Sequence, residues 1–196
     1  VETANAIFTA PGIPCHYVIG NHDVATFTKD EFIETAGARA PYYSFDHGPW
    51  HFVVLDANFN DDYSPYAAGN FSWTETYLSQ EELDWLRDDL AAAAESTTVC
   101  FIHQNLHDEE DAHGVKNAPA VRRILEDAGN VAAVLQGHMH TGGYSDINGI
   151  HYVTLKATVE EPGEDNPSHA LVTLDRDVIT MEGFGRVESR KLAEQA

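Results

Sequence analysis

The chain has the length of a single domain and is strongly acidic. Its 196 residues include 32 Asp and Glu against 11 Lys and Arg, a formal net charge of −21, and 43% of them are hydrophobic. We therefore expect one folded domain over residues 1–196, with no apolar run near the roughly 20 residues of a membrane helix and no basic face for nucleic acid.

The acidic residues are spread along the chain and do not form one tail. A solvated acidic surface of this kind is typical of proteins from halophilic or high-salt organisms. The N-terminal residues lack the basic and apolar regions of a signal peptide, which favours the cytoplasm. The sequence does not indicate an oligomeric state.

The first predicted elements are a strand, a turn and a helix. Residues 15–20, CHYVIG, are an apolar run of the length of a short buried strand. Thr28 and Glu31 have the spacing of a capping box and Gly37 is typical of a helix end, so a helix follows. The sequence GNHD, residues 20–23, thus lies in the turn between strand and helix.

A hairpin and a longer helix come next. Residues 42–57 contain two β-rich runs separated by a turn at Asp46–Pro49. After a polar loop, residues 58–70, Ser79 and Glu82 stand at capping-box spacing at the start of a helix. Apolar residues recur along this helix at helical intervals and predict a buried stripe: Leu83, Leu86 and Leu90.

Two buried strands and a helix follow. TTVCFIH, residues 97–103, is a strand that ends at His103; residues 118–129 form a helix; and residues 131–137 form a strand that leads into His138 and His140. The rest of the chain predicts three strands of a closing antiparallel sheet: residues 149–158, 169–175 and 178–184. A loop at residues 159–168 separates the first two of these strands.

Several histidines therefore lie just after the carboxyl ends of predicted strands. In open α/β sheets ligands bind just outside these ends, so His22, His103, His138 and His140 are expected to converge. Imidazole and carboxamide groups bind divalent metals, and an extended His138-Met139-His140 segment would place both rings on one face. The pattern predicts a metal centre.

Each motif alone has a simpler interpretation. A histidine such as His103 at a strand end is more often a hydrogen-bonded core residue, and GNHD alone is compatible with a turn whose Asn21 and Asp23 satisfy local backbone groups. The combination of three histidine-bearing strand ends favours the metal centre over these alternatives.

The motifs GNHD, the single His103 and GHMH resemble the later motifs of the calcineurin-like metallophosphoesterases. The resemblance implies that Asn21, His103 and His138 ligate one metal ion and that His140 ligates a second. It also implies that His22 is the acid at the leaving oxygen and that the neighbouring Asp23 orients its ring. The reaction implied is hydrolysis of a phosphate ester at two divalent ions.

A closer resemblance covers most of the chain. The segments LSQEELDWL, GHMHTGGY, GIHYVTLKATVEEP and GFGRVESRKL resemble those of manganese-dependent ADP-ribose/CDP-alcohol diphosphatases and their prokaryotic relatives. It implies two ions of Mn²⁺, with Fe and Zn as alternatives, and a small phosphorylated substrate such as ADP-ribose or a CDP-alcohol. It also places His107 where a second histidine contacts phosphate, although a purely structural role for His107 is equally compatible with the sequence.

The chain departs from the family at its start. The family usually opens with Asp-x-His and Gly-Asp-x-x-Asp or Asn motifs that supply further ligands and the bridging carboxylate, whereas no Asp precedes Gly20 here. We therefore expect the C-terminal part of a longer protein, with an N-terminally incomplete four-layer αββα sandwich as its fold. A segment without those ligands is expected to be inactive by itself.

Two other classes of function stay open. The same scaffold supports cyclic-nucleotide phosphodiesterases and phosphomonoesterases, because a fold and a metal pair do not fix the leaving group. A non-catalytic metallophosphoesterase-like domain is the second alternative.

Overall fold

The computed structural model describes residues 1–69, 72–160, 168–175 and 178–194. In these ranges it contains the following helices and strands: α1 (Glu2–Thr9), α2 (Lys29–Ala36), β1 (Tyr43–His47), β2 (Trp50–Val54), α3 (Gln80–Ala92), β3 (Thr97–Phe101), α4 (Ala118–Ala128), β4 (Val131–Gln136), β5 (Gly143–Ile147), β6 (Ile150–Thr154), β7 (His169–Asp175), β8 (Val178–Phe184) and β9 (Arg190–Glu194). None of these helices is long and apolar enough to span a membrane.

A six-stranded sheet forms the centre of the molecule. Its strand order is β1-β2-β3-β4-β6-β5. The inner strands β2, β3, β4 and β6 run parallel, and a hairpin partner pairs antiparallel at each edge. Parallel inner strands buried on both faces explain the continuous apolar runs in the sequence.

Two layers cover the faces of this sheet. Helices α3 and α4 pack on one face, where the predicted stripe of α3 (Leu83, Leu86 and Leu90) joins the larger hydrophobic cluster. The antiparallel sheet β7-β8-β9 covers the other face through Ile179, Met181 and Leu192. The described residues thus form an α, β and β layer of the predicted αββα sandwich.

The predicted starts of α2 and α3 are confirmed, but only α2 has a complete capping box. At α2 the side chain of Thr28 accepts from the backbone N–H of Glu31, and Glu31 bonds back to Thr28, which completes the capping box. At α3 Ser79 accepts from the backbone N–H of Glu82. The carboxylate of Glu82, however, accepts a 2.8 Å bond from the backbone N–H of Asp56 and is buried.

The strand predicted for residues 15–20 is absent. This segment has no partner strand in the described ranges, so no ladder forms along it. Side chains bind its backbone instead: the N–H of Tyr17 donates to the hydroxyl of Tyr43 at 3.1 Å, and the amide of Asn58 donates to the carbonyl of Ile19 at 2.9 Å.

The C-terminal strands also differ from the prediction. Strand β6 pairs parallel with β4 inside the central sheet and does not join the closing sheet. β5 and β9 were not predicted, nor was α1, which buries none of its residues. Of the predicted loop at residues 159–168, residues 161–167 lie outside the described ranges.

Candidate metal centre

The carboxyl ends of β3 and β4 bring two predicted ligands together. The strands are parallel neighbours with Phe101 opposite Leu135, so the residues that follow them emerge at the same edge. His103 lies two residues beyond β3 and His138 two residues beyond β4, and their ring centroids are 4.9 Å apart. The predicted convergence of these two histidines is present.

The GNHD turn packs directly against His103. A Cβ atom added at Gly20 would lie 3.2 Å from the ring of His103, so a larger residue would crowd this close approach. The next residue, Asn21, is buried, and its side-chain oxygen lies 2.9 Å from Nε2 of His103. An amide oxygen and an imidazole nitrogen therefore face each other between two segments that are distant in sequence.

His138 has two properties of a ligand held in place by its backbone. Its φ of 65° lies in the left-handed region, which non-glycine residues rarely adopt and which is common at functional sites. Its Nε2 atom is buried and has no hydrogen-bond partner in the part of the chain that the structure describes. An unpaired buried imidazole nitrogen is a costly arrangement that a bound ion would relieve.

Both rings are held in the neutral form. Burial lowers the pKa of His103 to about 3, assisted by the nearby rings of His138, His22 and His140. Burial lowers the pKa of His138 to about 4, with His113 as the next cause, although a hydrogen bond to the Trp73 backbone opposes the shift. A neutral imidazole has the free lone pair that metal binding requires.

His140 and His22 are the exposed members of the predicted set. Nδ1 of His140 contacts Oε1 of Glu160, and both side chains are partly open to solvent. His22 is exposed beside the buried Asn21. The carboxylate of Asp23 accepts from the N–H of Gly20 at 2.9 Å, which fixes the turn; burial raises the pKa of Asp23, and this bond opposes the shift.

Asn21, His22, His138 and His140 border one cleft of about 440 Å³, whereas His103 and Asp23 are not among the described residues that line it. Its described lining consists of Asn21, His22, Trp73, His113, His138, Met139, His140, Thr141 and Glu160. Sequence reasoning missed Trp73, His113 and Glu160. His113 lies nine residues after Gln104 in the connection between β3 and α4, and its spacing from any strand end gave no signal for it.

His107 is not among the described residues that line this cleft. Its Nδ1 atom lies 2.8 Å from the amide nitrogen of Gln136, which also donates to the hydroxyl of Thr154 at 3.0 Å. Burial lowers the pKa of His107. The structure therefore gives His107 hydrogen-bonding contacts with the end of β4.

A buried polar network lies behind the two ligand loops. Asn58 donates to the carbonyl of Ile19, which precedes GNHD, and accepts a 2.8 Å bond from Gln104, which follows His103. Asn58 also donates to Asp56 at 2.7 Å, and Asp56 pairs with the buried ammonium of Lys29. One side chain, Asn58, thus joins both ligand-bearing segments.

The residues present fit part of a metal centre. Their donor set of imidazole nitrogens and a carboxamide oxygen suits Mn²⁺, Fe or Zn, and the unpaired Nε2 of His138 marks one position for a donor bond. Within the described ranges, however, no three His, Cys, Asp or Glu side chains come close enough to hold an ion.

Comparison with known proteins identifies the family of the chain. A family model for calcineurin-like phosphoesterases matches residues 2–142. The chain is 26% identical over 189 residues to the 3',5'-cyclic adenosine monophosphate phosphodiesterase CpdA of Haemophilus influenzae, a match that covers 92% of this chain and 65% of that protein. It is 24% identical over 230 residues to the manganese-dependent ADP-ribose/CDP-alcohol diphosphatase of Mus musculus, covering 91% of this chain and 67% of that protein.

A solved structure shows the same fold. The crystal structure of a dimetal phosphatase from Danio rerio superimposes with a TM-score of 0.83 at 22% identity, covering 99% of this chain and 76% of that one. The chain spans about two thirds of the length of the two curated relatives. The family match, which covers most of the chain, and the histidine motifs it includes identify the chain as a member of the calcineurin-like phosphoesterases.

Proposed function

We propose that the protein is a metal-dependent hydrolase of phosphoric diester or diphosphate bonds in small nucleotide conjugates such as ADP-ribose or CDP-alcohols. The observation that carries the proposal is the meeting of Asn21, His103 and His138 at one edge of the sheet. The resemblance to a manganese-dependent diphosphatase supports this substrate class.

The proposed ligands are divided between two ions. Asn21, His103 and His138 would hold one ion, and His140 would contribute to the second, with Mn²⁺ favoured and Fe or Zn as alternatives. When bound, such ions supply Lewis-acid charge to the phosphoryl oxygens and activate water as the nucleophile. That charge also offsets the net charge of −21, which would otherwise repel a phosphate ester.

His22 is the proposed general acid. It is exposed at the cleft, immediately after Asn21, so its ring borders the space next to the proposed ligands. There it would donate a proton to the leaving oxygen. The carboxylate of Asp23 binds the N–H of Gly20, so we propose that Asp23 positions His22 through the turn.

The 196 residues alone are expected to bind metal weakly. The described residues provide no cluster of three acidic, histidine or cysteine ligands, and the sequence before Gly20 contains no Asp. We therefore propose that these residues by themselves carry out no useful hydrolysis. Rapid Mn²⁺-dependent turnover of bis(p-nitrophenyl) phosphate by the purified 196-residue chain would contradict this.

Cyclic-nucleotide phosphodiesterase activity is the second candidate. The observation that favours it is the match to CpdA, which covers 92% of this chain. A non-catalytic domain that binds a single ion or a partner is favoured instead by the absence, among the described residues, of a group of three His, Cys, Asp or Glu side chains that could hold an ion.

The test begins with the coding sequence upstream of Val1. Asp-x-His and Gly-Asp-x-x-Asp or Asn motifs there support an enzyme, and their absence supports the non-catalytic domain. The product of the complete coding sequence is then assayed with Mn²⁺ on ADP-ribose, CDP-choline, cyclic AMP and p-nitrophenyl phosphate. We expect the diphosphates to be hydrolysed fastest. A preference for cyclic AMP or the phosphomonoester would replace the proposed substrate class.

A further inference from the structure

Two loops present aromatic rings to the cleft opposite the GNHD turn. The ring of Trp73 is 43% exposed and lines the cleft, and its centroid is 5.3 Å from that of His113 and 5.8 Å from that of His138. The indole therefore offers an exposed aromatic surface beside two histidines of the cleft.

Hydrogen bonds hold the backbone of the loop that carries Trp73. The buried Tyr66 places its hydroxyl within 2.6 Å of the carbonyl of Ser72 and 2.9 Å of the carbonyl of Glu75, one on each side of Trp73. Thr76 then bridges to Val115, with its carbonyl accepting from the N–H of Lys116 at 2.8 Å. The backbone is held so that the indole stays at the cleft.

The loop that carries His113 is braced in the same way. Asp111 accepts 2.7 Å bonds from both the backbone N–H and Nδ1 of His113. The carbonyl of His113 accepts from the N–H of Asn105 at 3.1 Å, and a Cβ at Gly114 would lie 1.8 Å from the carbonyl oxygen of Asp108. Only glycine allows this turn, which seats the imidazole against the indole.

We propose that Trp73, backed by His113, is a preformed stacking wall for the nucleobase of the substrate. The inference rests on the proposed function, because it assumes that a phosphate lies beside His138 and His140. The indole is the large flat ring next to these histidines, and a base one ribose away from the phosphate can reach it. Any nucleobase can stack on an aromatic side chain, whichever base it is. The stacking wall would therefore favour binding of nucleotides over other phosphate esters.

The test compares AMP with ribose 5-phosphate, which carries the same phosphate on a ribose without the base. Binding to the product of the complete coding sequence is measured by calorimetry with Mn²⁺ present. Stacking on one aromatic side chain predicts that AMP binds roughly 5- to 100-fold tighter than ribose 5-phosphate. CMP, which has a smaller base, should lie between them.

Three variants test whether the indole of Trp73 causes the preference for AMP. Trp73→Ala should bring the affinity ratio of AMP to ribose 5-phosphate close to one, whereas Trp73→Tyr should keep most of it. Trp85→Phe is the matched control, since Trp85 packs against Tyr42 with ring centroids 5.0 Å apart and does not line the cleft. A Trp73 with only a structural role would weaken both ligands equally and leave the ratio unchanged.

The outcomes separate the stacking wall from the proposed function. A ratio near one in the wild type, with both ligands bound, would overturn the wall and leave phosphate binding intact. A ratio that survives Trp73→Ala would also overturn it. Failure of the wild type to bind either ligand would contradict both the wall and the phosphate site.

Discussion

The histidines of the cleft and His51 in the hairpin lie in opposite electrostatic environments. His51 is 5% exposed, and burial alone would lower its pKa, but the hydrogen bonds that its ring donates to Asp46 at 2.7 Å and to Asp89 at 2.9 Å outweigh this and raise it. Burial is also the largest cause at His103 and His138, and because no carboxylate hydrogen bond opposes it there, the pKa of each is strongly lowered.

Burial acts in the same direction on all three rings, and only at His51 do carboxylate partners outweigh it. The ring of His51 contacts two carboxylates, those of Asp46 and Asp89, and is therefore suited to a charged, structural role. The neighbours of His103 are an amide and other imidazoles, so its ring stays neutral and keeps a lone pair. The two carboxylate partners of His51 thus argue against a ligand role for it, and their absence at His103 supports the proposed ligand role.

The largest effect is expected at His22 in the complete protein. His22→Ala should retain metal but lose roughly 10²- to 10⁴-fold in rate, the usual contribution of a general acid. The loss should be greater for a nucleotide leaving group than for p-nitrophenolate, which departs as an anion. Rates on both substrate types, together with metal analysis, measure this.

His138→Ala is the contrasting variant. It removes a proposed ligand, so metal occupancy should fall and all substrates should suffer alike. Equal losses for both leaving groups in His22→Ala, with full metal occupancy, would show that His22 positions phosphate and is not the acid. Loss of metal in His22→Ala would make His22 a ligand.

The sequence predicted the parts of the site that follow regular strands. His103 and His138 were located because apolar runs end just before them, and the parallel pairing of β3 and β4 makes such ends coincide. Trp73 and His113 were missed because their loops are held by Tyr66, Asp111 and neighbouring backbone groups, and such contacts leave no periodic pattern in the sequence.

The fold was predictable to a similar extent. Capping residues located α2 and α3, and hydrophobic runs located β3 and β4. The pairing of β6 was assigned wrongly because an apolar run does not say which strand it will join. Strand β5, whose sequence GYSDI is largely polar, was missed because an edge strand need not be apolar.

A smaller effect is expected at Asn58, which joins the two ligand loops. Asn58→Ala removes the bonds to Ile19 and Gln104, so the loops lose their common support. We expect Mn²⁺ affinity to fall about 10-fold, the lower end of the effect of supporting residues around metal ligands. The electron paramagnetic resonance signal of free Mn²⁺ measures the affinity on folded protein.

The matched control is Asn60→Ala. Asn60 lies two residues further on and bonds to Ser64 at 3.1 Å within its own loop, so it should change Mn²⁺ affinity little. Equal affinities for the two variants would show that Asn58 does not support the ligands.

The smallest effect is expected at His51, where the variant His51→Gln should cost about 1–2 kcal/mol of unfolding free energy near pH 6. The pKa of His51 is raised in the folded state. Its charged ring therefore stabilises the fold fully below the unfolded pKa of about 6.5, and this stabilisation is lost as pH rises through the folded pKa. The difference in unfolding free energy between wild type and His51→Gln, measured by urea unfolding, should shrink from pH 6 to pH 9.

The control is His47→Gln, at an exposed position of the same hairpin, which should change the unfolding free energy little at either pH. A cost for His51→Gln that is the same at both pH values would mean that the ring acts through packing, and the contrast with the neutral histidines of the cleft would not hold.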